Sequence, residues 1–255
     1  MRKTFGTPIP GMPKEPLRGK LIVLEGADGS GRTTEVELLR EWLEIQGRPV
    51  VDTGLRRSTL VMKQIDEAKQ GHTLGATTLA LMYAADFADQ LENKIIPAMS
   101  AGSTVLADRY IYTLMARATV RGASRDWARK LYGFALVPDL TIFLDASSDI
   151  LLHRAISKYG SLDYWESGMD LSLSRDRFES FFLYQKLLSD EFEWMAKEYG
   201  FSRVDANRPP LQVHRDVKTI LASVYGSQVR VEAEARSKEE ARVRTLSSPV
   251  QAELD

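Results

Sequence analysis

Eight consecutive residues, Gly26, Ala27, Asp28, Gly29, Ser30, Gly31, Arg32 and Thr33, carry the sharpest chemical signal in the chain. They fit the template G-x-x-x-x-G-K-[ST] at every fixed position but one, where Arg32 stands for the lysine. Glycines at that spacing let backbone N–H groups turn inward around a phosphate, and a helix starting there adds positive potential. Thr33 brings a hydroxyl suited to Mg²⁺, and Thr34 follows it into the helix. Arg32 keeps the charge of lysine but not its shape, because a guanidinium is wider and planar in a tight loop. Three readings stay open: a working variant, a slowed enzyme, or a nucleotide binder without phosphoryl transfer. A glycine-rich turn with no ligand is the plain alternative.

Such a loop needs a strand before it and a helix after it. The run KLIVLE at 20–25 is apolar throughout, as in a buried strand, and 33–46 puts Val36, Leu39 and Leu43 on one helical stripe. Further short apolar runs at 48–53, 103–108, 139–145 and 201–205 predict four more strands. Between and after them, helices are predicted at 59–70, 77–100, 111–121, 124–136, 148–158, 173–199 and 212–225. Strands apolar on both faces, each followed by helix, predict an α/β fold with a parallel sheet covered on both sides. Ligands then belong beyond the carboxyl ends of the strands.

Composition narrows the classes. Among 255 residues, 34 Lys+Arg balance 35 Asp+Glu, so nothing calls for a nucleic-acid partner. No cysteine occurs, which excludes a disulfide scaffold, a thiolate metal site and a cysteine nucleophile. No apolar run of membrane-spanning length is present, so no membrane partner is expected. The first residues are basic and proline-rich without the apolar stretch of a signal peptide, so a cytoplasmic enzyme is expected. Residues 1–19, with four prolines and three glycines, predict a flexible arm, and 227–255 a charged, disordered tail. The domain proper is expected over 20–226.

The stretch from Glu25 to Thr34 resembles the opening loop of bacterial thymidylate kinases, E-G-x-D-G-x-G-K-T-T. Asp108, Arg109 and Tyr110 match that family's D-R-Y/F/H. The run from Leu81 to Phe87 is similar to its L-F-x-A-D-R, Leu140 to Asp145 to its L-T-I-x-L-D, and Val204, Asp205 and Ala206 to its closing I-D-A. The resemblance spans about 20–225 and implies a three-layer P-loop nucleoside-monophosphate kinase with a five-stranded parallel sheet and a lid. It implies transfer of the ATP γ-phosphoryl group to dTMP, with ATP and Mg²⁺, and a homodimer.

Site roles follow from the resemblance position by position. Gly26 to Thr34 and Arg154 would hold ATP. Arg32, Asp108 and Arg109 would be catalytic, and Thr33 and Asp108 would hold the metal. Asp28 would meet the acceptor's 3′-hydroxyl, or serve only as a turn residue. Asp108 would hold Mg²⁺, or cap the helix from Ile111. Tyr83 would stack on thymine, or belong to the core. Arg56, Phe87 and Arg109 complete the expected acceptor site.

Several positions depart from the family pattern. Arg32 replaces lysine, Phe87 replaces a base-reading arginine, and no R-E-P-G-G-T stretch surrounds Arg56 and Arg57. Arg117, Ala118 and Thr119 stand where an aromatic–Gln pair is expected, although Arg121 and Gly122 resemble the Arg-Gly beyond it. The lid, about 157–177, has Gly160 and Gly168 as candidate hinges, Tyr164 and Trp165 as candidate covers, and only Arg154, Lys158, Arg175 and Arg177 as cations. Two alternatives therefore stay open: a kinase for another nucleoside monophosphate or nucleoside, and a weakly active ATP-binding regulator.

Overall fold

The computed structural model describes residues 2–71 and 74–226. Five strands, β1 (Lys20–Glu25), β2 (Val50–Gly54), β3 (Thr104–Asp108), β4 (Leu140–Asp145) and β5 (Ser202–Asp205), form one parallel sheet in the order β2-β3-β1-β4-β5. The β1 side chains alternate between two cores, as the period of a strand requires. Leu21 and Val23 join one core with Val105, Ala107 and Phe143. Ile22 and Leu24 join the other with Leu106, Ile142 and Leu144.

Helices cover both faces. Helix α1 (Arg32–Ile45) supplies Val36, Leu39 and Leu43 to the second core, and α9 (Pro210–Tyr225) supplies Val213, Val217 and Leu221. The first core is closed mainly by α2 (Met62–Gln70), α3 (Ala76–Gln90), α4 (Ile96–Ser100), α5 (Ile111–Thr119), α6 (Arg125–Leu131) and α8 (Arg177–Tyr199). Helix α7 (Ser148–Tyr159) packs Leu151 against Leu162 and Phe181 in a small third cluster. Because β1 lies between β3 and β4, the chain leaves it toward one side and later returns to the other. The crevice at the carboxyl ends there is where the loop after β1 opens.

Three stretches differ from expectation. The helix predicted over 77–100 is broken by a π-turn at Leu91–Ile95, just before Pro97. Proline has no N–H to return to the preceding turn and crowds its carbonyl, and the wider turn absorbs both effects. The helices predicted from 59 and 173 begin at Met62 and Arg177, and the one predicted to 136 ends at Leu131.

The first residues, expected as a flexible arm, lie against the body. Lys3 and Phe5 exchange backbone hydrogen bonds with Val137 and Ala135, and Arg2 pairs with Asp139. Phe5, Ile9, Met12 and Leu17 pack on the first core. Composition marks the prolines but not the apolar residues between them that find this surface. The predicted tail over 227–255 lies outside the described residues.

Candidate active site

The loop after β1 is shaped by its glycines. Gly26 and Gly31 have φ of 146° and 99°, a region that side chains strain to enter. A Cβ on Gly26 would sit 2.6 Å from the Leu144 carbonyl oxygen. Gly31 also occupies the start of α1 with no side-chain cap, so the first N–H groups of that helix are not taken up by a capping side chain. Arg154, from α7, donates to the Gly29 carbonyl at 3.1 Å and to that of Ala206 at 2.9 Å, so it braces the loop from outside.

Arg32 is nearly buried, 7% exposed, and its guanidinium hydrogen-bonds through Nε and Nη1, with Nη2 3.9 Å from Asp28. It donates to the carbonyls of Gly26 and Ala27, to Ser30 Oγ at 3.3 Å, and through Nε to Asp108 Oδ1 at 2.8 Å. A lysine has one nitrogen and cannot span all of these partners; the planar fork can. Thr33 Oγ1 donates to the other Asp108 oxygen at 2.9 Å. Asp108 does not cap the helix from Ile111, which starts at Tyr110 without a side-chain cap. A hydroxyl and a carboxylate converging beside a phosphate loop are the donor set Mg²⁺ takes, since it binds one or two protein oxygens and fills its octahedron with phosphate and water. Accordingly, no group of three His, Cys, Asp or Glu is gathered for a metal among the described residues.

Arg109 follows β3 with φ of 72°, a left-handed conformation rare outside glycine. Its N–H is fixed to the Leu24 carbonyl at 2.9 Å. Beside it, the fully buried Glu25 accepts from Tyr110 N at 2.8 Å and Thr113 Oγ1 at 2.5 Å, which locks the turn. Burial raises the Glu25 pKa, with Thr113, Tyr110 and Arg32 opposing it. The Arg109 guanidinium pairs with Asp28, and Arg117 joins the second Asp28 oxygen at 2.7 Å. Burial, with Arg117 close by, lowers the Arg109 pKa. Its Nε is buried with no hydrogen-bond partner, an unmet donor at the centre of the site.

These groups open onto a cavity of about 290 Å³. Asp28, Arg32, Thr33, Asp108, Arg109 and Arg56 line it, as does Tyr83, which also packs in the first core. Arg56 is aimed by Asp86, a buried carboxylate on α3 that accepts the backbone N–H of Arg56 at 2.9 Å and of Ser58 at 3.0 Å. Phe87 is a correction: it is not among the lining residues. It is 4% exposed and packs on Tyr110, Tyr132 and Phe134, because a phenyl ring at that helix position gains more in the aromatic core than at a polar wall.

Lys69, Glu166 and Tyr184 also line the cavity, beside Arg117, and the sequence predicts a site role for none of the four. Lys69 sits in an ordinary amphipathic helix and Glu166 in a stretch without a motif, so neither had a local signal. The expected lid is tied down at several points. Trp165 Nε1 donates to the Lys69 carbonyl at 3.2 Å, and Arg121 holds Asp170 at 2.8 and 3.1 Å. Of the two candidate hinges, Gly160 is in open space, whereas a Cβ on Gly168 would meet Tyr184 at 2.7 Å. Gly168 thus serves close packing.

The sequence model described as thymidylate kinase matches residues 24–217. The chain belongs to the thymidylate kinase family. A protein of Saccharolobus solfataricus described as "Probable thymidylate kinase 2" is 35% identical over 206 residues, covering 80% of this chain and 96% of that protein. The "Thymidylate kinase" of Shouchella clausii is 33% identical over 210 residues, covering 78% of this chain and 92% of its own length. Thymidylate kinases are nucleoside-monophosphate kinases that use ATP, and this chain has their three-layer parallel fold. No helix among the described residues is long and apolar enough to cross a membrane.

Proposed function

We propose that the chain transfers the γ-phosphoryl group of ATP to dTMP, giving dTDP and ADP, with Mg²⁺. One observation carries the reading: Arg109 and Arg117 converge on Asp28, a residue of the phosphate loop itself, beside the Thr33–Asp108 pair. Donor loop, acceptor-side cations and metal donors thus share one cavity wall.

Phosphoryl transfer passes through a loose transition state, so positioning and charge neutralisation supply most of the acceleration. In this reading the loop amides from Gly26 to Thr34 and Arg32 hold the donor phosphates. An acceptor phosphate oxygen attacks the γ-phosphorus as the bond to the ADP oxygen breaks. Arg109, which lines the cavity beside Asp28, would meet the charge on the transferring group and the acceptor phosphate. Thr33 and Asp108 would hold Mg²⁺, which would supply neutralisation of the donor phosphates' charge. Arg32 donates to one oxygen of Asp108 and Thr33 to the other, so a bound metal would share that carboxylate with the arginine. Asp28 and Arg56 would hold the acceptor, with Tyr83 against its base. Arg154, which donates to the Gly29 carbonyl, would hold ATP beside the loop that it supports.

A homodimer in the cytoplasm goes with this reading, and light scattering tests the assembly. ADP release from Mg-ATP by the purified chain, measured with and without dTMP, tests the reaction. The expected result is release that requires dTMP. Release indifferent to dTMP, or none, overturns it.

A further inference from the structure

Seven cationic side chains line the cavity, and six are already paired. Arg32 holds Asp108, Arg56 holds Asp66, Arg57 holds Asp52, Arg121 holds Asp170, and Arg109 and Arg117 share Asp28. Lys69 alone has no hydrogen-bonded carboxylate among the described residues. It is nonetheless well placed. Its carbonyl is fixed by Trp165, and its Nζ lies 5.5 Å from that ring's centre. Burial, with Arg117 and Arg56 nearby, lowers its pKa to about 8, while Asp163 and Glu166 pull the other way.

Glu166 is the matching oddity. It lines the same cavity, its hydrogen bonds among the described residues run through its main chain, and its charge acts on Lys69, Arg109 and Arg117. Its main chain is held from both sides, by Asp163 Oδ1 at 3.0 Å and by Gln185 Nε2 at 3.1 Å. A donor and an acceptor, each without a hydrogen-bonded side-chain partner among the described residues, therefore face one cavity from two separate elements. A carboxylate there would repel a phosphate, so a phosphate is a poor ligand for the pair. A planar ring carrying a carbonyl beside an N–H is a good one, and Leu79, Tyr83 and Trp165 supply the apolar and aromatic lining such a ring needs.

We propose that Lys69 and Glu166 read the imide edge of the acceptor base. The Lys69 ammonium donates to the ring carbonyl at position 4, and the Glu166 carboxylate accepts from the N–H at position 3. This rests on the reading above that the acceptor is a thymine nucleotide. Cytosine has an amino group in place of that carbonyl and a bare nitrogen in place of that N–H. A donor then faces a donor and an acceptor faces an acceptor, which leaves buried polar groups unpaired and is penalised strongly.

The test is steady-state kinetics of the full chain with dTMP and with dCMP, for the wild type and for K69M, K69R and E166Q, backed by calorimetric binding of both nucleotides. K69M should raise KM for dTMP about tenfold while dCMP stays within about twofold, from the loss of one charge-assisted hydrogen bond. K69R should restore most of the preference, and KM for ATP should not move. E166Q should narrow the gap from the other side, because an amide N–H can meet the bare cytosine nitrogen. Equal losses on both nucleotides in K69M, or no change, overturn the proposal, since a general electrostatic or structural role acts on both alike. If the wild type does not phosphorylate dTMP, the proposed reaction fails by itself. Binding of dTMP and dCMP to wild type and K69M then still decides whether Lys69 distinguishes the bases.

Discussion

Arg109 concentrates several costs in one residue. It sits at φ of 72°, is largely withdrawn from water, and leaves one N–H unmet. Strain and an orphaned donor persist only where surrounding structure over-determines them, and here Leu24, Glu25 and Asp28 do so. A guanidinium held this way needs no reorganisation when charge develops in front of it. Arg109→Ala should therefore lower turnover by roughly two to four orders of magnitude. ATP binding, measured by calorimetry, should change by no more than about threefold, since the loop's own donors remain. Near-normal turnover would remove Arg109 from the chemistry.

At the scale of elements, the acceptor side is aimed by contacts the motifs do not mention. The segment after β2 carries Arg56 at φ of 56°, and it keeps that shape because Asp86 on α3 takes two of its backbone N–H groups. Gln90, one turn on, donates to Asp86 at 2.9 Å and accepts from Thr53 at 2.5 Å, so α3 is also tied to β2. Asp86→Ala should leave those amides unpaired and cost about 1–3 kcal/mol of stability, seen in chemical denaturation. Because the loop carries Arg56, KM for the acceptor should also rise roughly tenfold, with KM for ATP unmoved. A loss of stability without the KM change would separate the loop's shape from acceptor binding.

At the scale of the whole molecule, the first residues act as a staple across the first core. Phe5 meets Tyr112 and Tyr199 edge to face at 6.0 and 5.6 Å, and the strand-like stretch around it pairs with Leu136. Phe5→Ala should cost about 1–3 kcal/mol and lower the melting temperature by a few degrees. Turnover at low temperature should be unchanged, because the staple lies on α5 and α8 rather than at the loop. An unshifted melting curve would mean that the arm adds nothing to the fold.

Some of this is legible in the sequence itself. The loop from Gly26 to Thr34 depends on adjacent residues, and so do the alternating faces of β1 and the stripe of α1. Local spacing determined them: which backbone can turn inward, which side chains share a face, and so which family and sheet. The use of each charge was not local. Arg32 spans its own loop and Asp108, which is 76 positions away. Asp28 gathers Arg109 and Arg117, and Phe87 turns into the core although its neighbours in the chain, Asp86 and Tyr83, serve the site. Lys69 and Glu166 have nothing in common along the chain and face one cavity only because α2 and the segment before α8 fold over it. A side chain's partner is chosen by three-dimensional distance and by burial, and neither is written in spacing along the sequence.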